Sequence, residues 1–171
     1  MKKQNASLDS SFWINAFDGG IVHFLPEYFN LFVCQVAAEE IRYPLDVLGI
    51  PAAGPSLFDQ WCKSGMITLQ NPQAPVDWFQ RGENAAIALA IENGYFLLID
   101  DANPYHFAKS QGLKVIGTMD FTVFLYDQGR LSYPAAVSTI KALRASEKLK
   151  RGAMITLESL ARTKGDKDAE Q

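Results

Sequence analysis

No apolar run in the chain approaches the ~18 residues needed to span a bilayer, so no transmembrane helix is expected. The opening "MKKQNASLDSS" carries two lysines with no apolar segment behind them and does not read as a secretory signal. Cysteine is scarce. Cys34 and Cys62 sit in apolar or aromatic surroundings, "LFVCQV" and "FDQWCKS", without metal-type spacing. Both read as reduced core thiols of a cytoplasmic protein. Positive charge is also short: Lys and Arg number 16 against 19 Asp and Glu, for a net charge of −3 and a pI near 5.4. That balance excludes a protein that holds nucleic acid by bulk electrostatics alone. It leaves open an enzyme that meets a polyanion through metal ions. No internal repeat is visible.

What the chain does have is a core. Of its 171 residues, 48 % are hydrophobic and 12 % aromatic, which excludes a disordered chain and favours one domain. We place that domain at residues 1–160, with a disordered polar tail at 161–171. Strand and helix patterns alternate along it. "ASLD" is a short strand weakened by the polar Ser7, and "SSFWINAF" is a helix capped by Ser10 or Ser11. "IVHFLPEYF" is a short helix interrupted by Pro26, "NLFVCQ" a strand, and "VAAEEIRY" a helix ended by Pro44. "DVLGIPAAGPS" is a loop, "SLFDQWCKSG" a helix and "MITLQ" a strand. After the loop "NPQAPVDW", "GENAAIALAIENG" is a helix closed by Gly94, and "YFLLID" is a strand. "PYHFAKSQG" is a helix begun by Pro104, "LKVIG" a strand and "DFTVFLYDQG" a helix. "PAAVSTIKALRASEKLK" reads as one long amphipathic helix. This order predicts an α/β fold with a mainly parallel sheet.

The acids fall at meaningful places in that scheme. Ligands of open parallel sheets bind beyond the carboxyl ends of the strands. Asp9 ends the first strand and the adjacent Asp100 and Asp101 end another. Glu83 opens the helix before that strand, and Glu39 and Glu40 lie on the helix after "NLFVCQ". If these elements are neighbours, three to five carboxylates converge. Mg²⁺ or Mn²⁺, which take oxygen ligands and keep several waters, suit such a cluster. One or two ions there can activate water and stabilise phosphoryl displacement. Each acid also has an ordinary use. Asp9 and Ser10–Ser11 have N-cap chemistry, Glu83 favours a helix dipole, and Glu39 and Glu40 beside Arg42 suit a solvated face. The adjacent Asp100–Asp101 pair is harder to explain that way, because a cap needs one acid.

"LDSSFWINAF", "VAAEEIR", "GENAAIALAIENGYFLLIDD" and "GLKVIGTMDFTVFLYDQGRL" together resemble the PIN-domain family, in particular its single-domain branch with toxin–antitoxin ribonucleases. The resemblance covers roughly residues 7–132 and is most specific over 82–131. It implies a three-layer α/β/α fold and divalent-metal-dependent cleavage of RNA. It implies that Asp9, Glu83 and Asp101, with Asp100 beside it, ligate Mg²⁺ or Mn²⁺. Glu40, with Glu39 as fallback, would bind metal or orient a water for attack. It further implies an antitoxin partner, if the protein is a toxin, and a homodimer in which "SFWINAF" and "IVHFLPEYF" form the surface; a core explains their aromatic content equally. Where relatives place basic residues after the paired acids, this chain has Ala102, Asn103 and Pro104, so a binding or assembly module without catalysis is the alternative. Asn103 could stand in for a carboxylate.

The remaining residues of note have bland readings. His23 and His106 lack partner spacing and read as structural, His106 near the cleft mouth. Trp13 and Trp61 read as core, and Trp78 as the tryptophan that could reach substrate. Lys141, Arg144, Lys148 and Arg151 recur three and four apart, as a charged stripe on one helix face.

Overall fold

A computed structural model of the chain describes residues 2–49, 52–74 and 76–165. Residues 50 and 51 of the first expected loop, 75 of the second and 166–171 of the expected tail lie outside these. In chain order the elements are β1 (Gln4–Leu8), α1 (Ser10–Asp18), a 3-10 turn (Val22–Phe24), α2 (Leu25–Tyr28), β2 (Phe29–Val33), α3 (Gln35–Asp46) and α4 (Ala53–Lys63). There follow β3 (Ile67–Leu69), α5 (Arg81–Asn93), β4 (Phe96–Leu98), α6 (Ala102–Ser110), β5 (Val115–Ile116), α7 (Thr118–Asp127), α8 (Tyr133–Ala142) and α9 (Glu147–Lys164). The five strands form one all-parallel sheet in the order β3-β2-β1-β4-β5. No helix among the described residues is long and apolar enough to cross a membrane.

Pleating sends alternate residues of each strand to opposite faces. Ala6, Leu8, Leu31, Val33 and Leu98 enter a core shared with Phe12, Trp13, Ile41, Phe58 and Phe121. Leu97 and Ile99 face the other way, against Ala86, Ile87 and Ala90 of α5 and Ala108 of α6. Both faces are therefore covered, which is the three-layer α/β/α arrangement expected. Helices α7, α8 and α9 add a smaller cluster of their own around Tyr126, Ile140, Leu157 and Ala161. Ser7 sits in this scheme without penalty: it is fully buried on the α5 face, and its hydroxyl donates to the Ala86 carbonyl at 2.8 Å.

Several expectations need correction. The long terminal helix is two helices, because Leu143 adopts extended backbone and Ser146 caps α9 through Leu149 N–H. Residues 161–164 belong to α9, which Gly165 closes in the left-handed conformation. The basic stripe is thereby broken up: Lys141 is on α8, Arg144 lies between the helices and pairs with Asp18 at 2.7 Å, and Lys148 and Arg151 are on α9. Helix α3 runs through Pro44 to Asp46, since only one hydrogen bond is forfeited so near its end. Helix α4 starts at Ala53, inside the expected loop, and α6 starts at Ala102, two residues before Pro104. In the stretches that a core and a homodimer surface explained equally, Phe12, Trp13, Ile21, Val22 and Leu25 are buried and Ile14 is exposed. Trp13 meets Phe58 and Trp61 edge-on, and His23 packs on Trp61. Cys34 and Cys62 are free thiols.

Candidate active site

The strand order reverses at β1. Its chain continues through α1 to β2 on one side, while β4 lies on the other. The crevice at such a switch point is where open α/β sheets receive ligands, and Asp9 and Asp101 stand at the two strand ends that flank it. The Asp9 N–H extends the ladder to the Leu98 carbonyl at 2.9 Å. Its side chain is the N-cap of α1: Oδ2 accepts from Ser11 N–H at 2.9 Å and Ser11 Oγ–H at 2.6 Å. Capping and site membership are thus compatible, because capping uses one oxygen. The other, Oδ1, is buried without any hydrogen-bond partner. Burial pushes the Asp9 carboxyl up to about 7 against the pull of Ser11, with the charges of Glu40 and Asp101 adding to the rise.

Glu40 comes from α3 and accepts from Ser10 Oγ–H at 2.5 Å. Its approach depends on Gly82: a Cβ built there would lie 2.5 Å from both Glu40 carboxylate oxygens. Glu83, in the first turn of α5, accepts from Gln80 N–H at 3.0 Å in a capping box. The Asp101 carboxylate lies close enough to act on it electrostatically. Burial raises the Glu83 pKa against the pull of the Gln80 N–H, and the charges of Asp101 and Glu40 add to the rise. Asp101 itself is the exposed N-cap position of α6.

The structure therefore brings Asp9, Glu40, Glu83 and Asp101 to one place. It separates the others. Asp100 Oδ1 accepts from Thr118 N–H at 2.7 Å, and Oδ2 accepts from Thr118 Oγ1–H at 2.6 Å and Asn15 Nδ2–H at 2.5 Å. Both its oxygens are spent tying the end of β4 to α1 and α7, although burial still raises its pKa. Glu39 accepts from Gln35 at 3.1 Å on an exposed face, and Arg42 pairs with Asp59 of α4 rather than with either glutamate. Asn103 is exposed in the first turn of α6. Among the described residues, no three or more Asp, Glu, His or Cys side chains stand ready to hold one metal ion. Asp9 Oδ2, Glu40 and Glu83 are each turned to a local donor instead.

Sequence reading passed over Asn15 and Thr118, the residues that fix Asp100. Nothing local marks them, since Asn15 is 85 residues from Asp100 in the chain. The role of Gly82 was legible only as part of the Gly-Glu helix start. Of the remaining residues, Trp78 is half-exposed and packs on Phe107, and His106 is exposed on α6 beside Tyr105.

The family model DUF3368, described as a PIN domain, matches residues 9–151, a span that contains every candidate acid. No curated protein and no solved structure matches the chain.

Proposed function

The chain belongs to the PIN-domain family, whose members are generally nucleases, and from that premise we propose that it is a divalent-metal-dependent endoribonuclease acting in the cytoplasm. The observation that carries this reading is the buried, unpartnered Oδ1 of Asp9 beside three further carboxylates drawn from three other elements. An orphaned anionic oxygen inside a protein is costly unless a cation compensates it. The donor set is all oxygen, which fits Mg²⁺ or Mn²⁺.

In this reading Asp9, Glu83 and Asp101 hold the ion and Glu40 holds it or orients the attacking water. When bound, the ion supplies the positive charge that acidifies water and neutralises the phosphate under attack. The chain's own contribution is placement. Ser11 fixes Asp9, Ser10 and Gly82 admit Glu40, and the α5 capping box aims Glu83 at Asp101. The substrate is RNA. A toxin role belongs to the same reading, with an antitoxin protein that covers the exposed Asp101 and Glu40 as the regulating partner.

A second reading, a PIN-like binding module without catalysis, is favoured by the scattered orientation of the carboxylates. Cleavage of single-stranded RNA in millimolar Mn²⁺ separates the two. The nuclease reading expects turnover by the parent chain and a loss of at least a hundredfold in Asp101→Asn. Equal turnover by both proteins would remove the metal site from the reaction, and no turnover by either would leave the binding module.

A further inference from the structure

Beside the carboxylate group lies a cavity of about 410 Å³ that the reaction does not use. Its floor is Asn15 and Asp100, so it begins one residue from Asp101. One wall is the face of α6 that carries Tyr105, His106 and Lys109; the opposite wall is the α8–α9 connection with Arg144, and Leu149 of α9. The surfaces are mostly carbon, and the polar groups at the floor are satisfied: Asp100 by Thr118 and Asn15, and Asp120 at the edge by Tyr105 Oη–H at 2.8 Å and Gly117 N–H at 3.1 Å. The rim carries Lys109 and Arg144 alongside the carboxylate of Asp120. Lys109 Nζ stands 5.4 Å from the centre of the Tyr105 ring, and Arg144 keeps 74 % of its side chain exposed while pairing with Asp18.

We propose that this cavity receives one unpaired nucleotide of an RNA strand, the base entering against Tyr105 and His106 and its phosphate meeting Lys109 and Arg144. The inference rests on the nuclease reading for the identity of the strand. The chemistry of the cavity supplies the rest. A space of this size takes a nucleoside and excludes a duplex. Unpaired bases are recognised by stacking on aromatic and imidazole faces, with sequence-tolerant gains that a polar pocket cannot give. Cations at the mouth of a largely apolar pocket suit a ligand with a flat apolar body and an anionic link, which a peptide segment lacks. The position suits it as well: Asp100, which lines the cavity, and Asp101 are consecutive at the end of β4. The rim supplies the positive charge absent from positions 102–104, brought instead from α6 and the α8–α9 connection.

The test uses the full chain and two variants, Ala145→Phe, which fills the cavity, and Lys109→Glu, which alters only an exposed side chain. Three measurements are made: anisotropy of a labelled ten-nucleotide single-stranded RNA in Ca²⁺, mapping of 4-thiouridine cross-links, and hydrolysis of bis(p-nitrophenyl) phosphate in Mn²⁺. The expected result is RNA affinity about tenfold weaker or more in each variant, cross-links at residues 105–109, and unchanged hydrolysis of the small diester. Unchanged affinity in both variants, or cross-links elsewhere, overturns the cavity and leaves the carboxylate reading standing. Weakened RNA binding in a chain that hydrolyses neither substrate supports the cavity and removes the nuclease. A parent chain that binds no single-stranded RNA overturns the proposal and gives the cavity to a protein segment.

Discussion

Removing the charge of Asp9 should stabilise the metal-free protein, although Asp9 caps a helix. Its folded carboxyl is held near 7 and its ordinary value is 3.8. The folded state therefore binds this proton more tightly than the unfolded state. The resulting stability is fully present below about pH 4 and is lost as pH rises through about 7. At 1.36 kcal/mol per decade, the loss amounts to roughly 4 kcal/mol by pH 8. Asp9→Asn keeps an acceptor for Ser11 N–H and carries no charge, so its stability is flat across this window. At pH 8 in EDTA the variant should be more stable than the parent by up to roughly 4 kcal/mol, or about 10 °C in Tm for a chain of this length. At pH 4 the two should nearly coincide. Glu83 and Asp100 also have raised pKa values, but they are common to both proteins and drop out of the difference. Adding Mn²⁺ at a hundred times its Kd should then raise the parent by about 2.7 kcal/mol and the variant by far less. Chemical denaturation at the two pH values measures all of this. A variant less stable than its parent at pH 8, or a difference that does not change with pH, would refute the electrostatic argument.

Gly82→Ala should separate stability from activity. Its Cβ displaces the flexible end of Glu40 rather than backbone, so helix propensity favours the variant by up to ~1 kcal/mol. RNA cleavage should nevertheless fall at least tenfold; unchanged kcat with a raised Tm would show that Glu40 takes no part. Thr118→Val removes the 2.6 Å hydrogen bond that Oγ1–H donates to the part-buried Asp100 and should cost about 1–3 kcal/mol. Because that bond holds the Asp100 pKa down, the cost should grow as pH rises; equal losses at pH 5 and pH 8 would contradict it. Finally, Mn²⁺ must displace the protons held by Asp9 and Glu83, so titration calorimetry should show affinity falling as pH drops through about 7. Affinity constant from pH 5 to pH 8 would place the ion elsewhere.

The alternation of strands and helices was legible because its signals are local: apolar runs, Gly94 closing α5, and Gly112 after α6. The acids were legible as positions in that order. What escaped was set by contacts distant in the chain. Ser7 looked unfit for a buried strand because its partner, the Ala86 carbonyl, lies 79 residues on. The continuous amphipathic pattern over 134–150 concealed a break whose backbone is held by Asn15: its Oδ1 accepts from Arg144 N–H at 2.7 Å. The paired acids were the hardest case. Asp100 and Asp101 are identical in type and adjacent, yet successive residues at a strand end point to opposite sides. One is consumed by Thr118 and Asn15 and the other faces Glu83, a division that composition and spacing do not contain.

That division also links the strand end at Asp100 to the wall of the cavity. Asn15 donates to Asp100 and, through its carbonyl, holds the backbone of Arg144, so the connection that walls the cavity is fastened to the strand end that presents Asp101. Asn15 is buried, and hydrogen bonds in such surroundings are expensive to break. The α8–α9 connection is thus fastened to α1 and, through Asn15, to the end of β4. Two neighbouring like charges are tolerable here because they are placed differently: Asp100 accepts three hydrogen bonds from Thr118 and Asn15, and Asp101 is exposed to water.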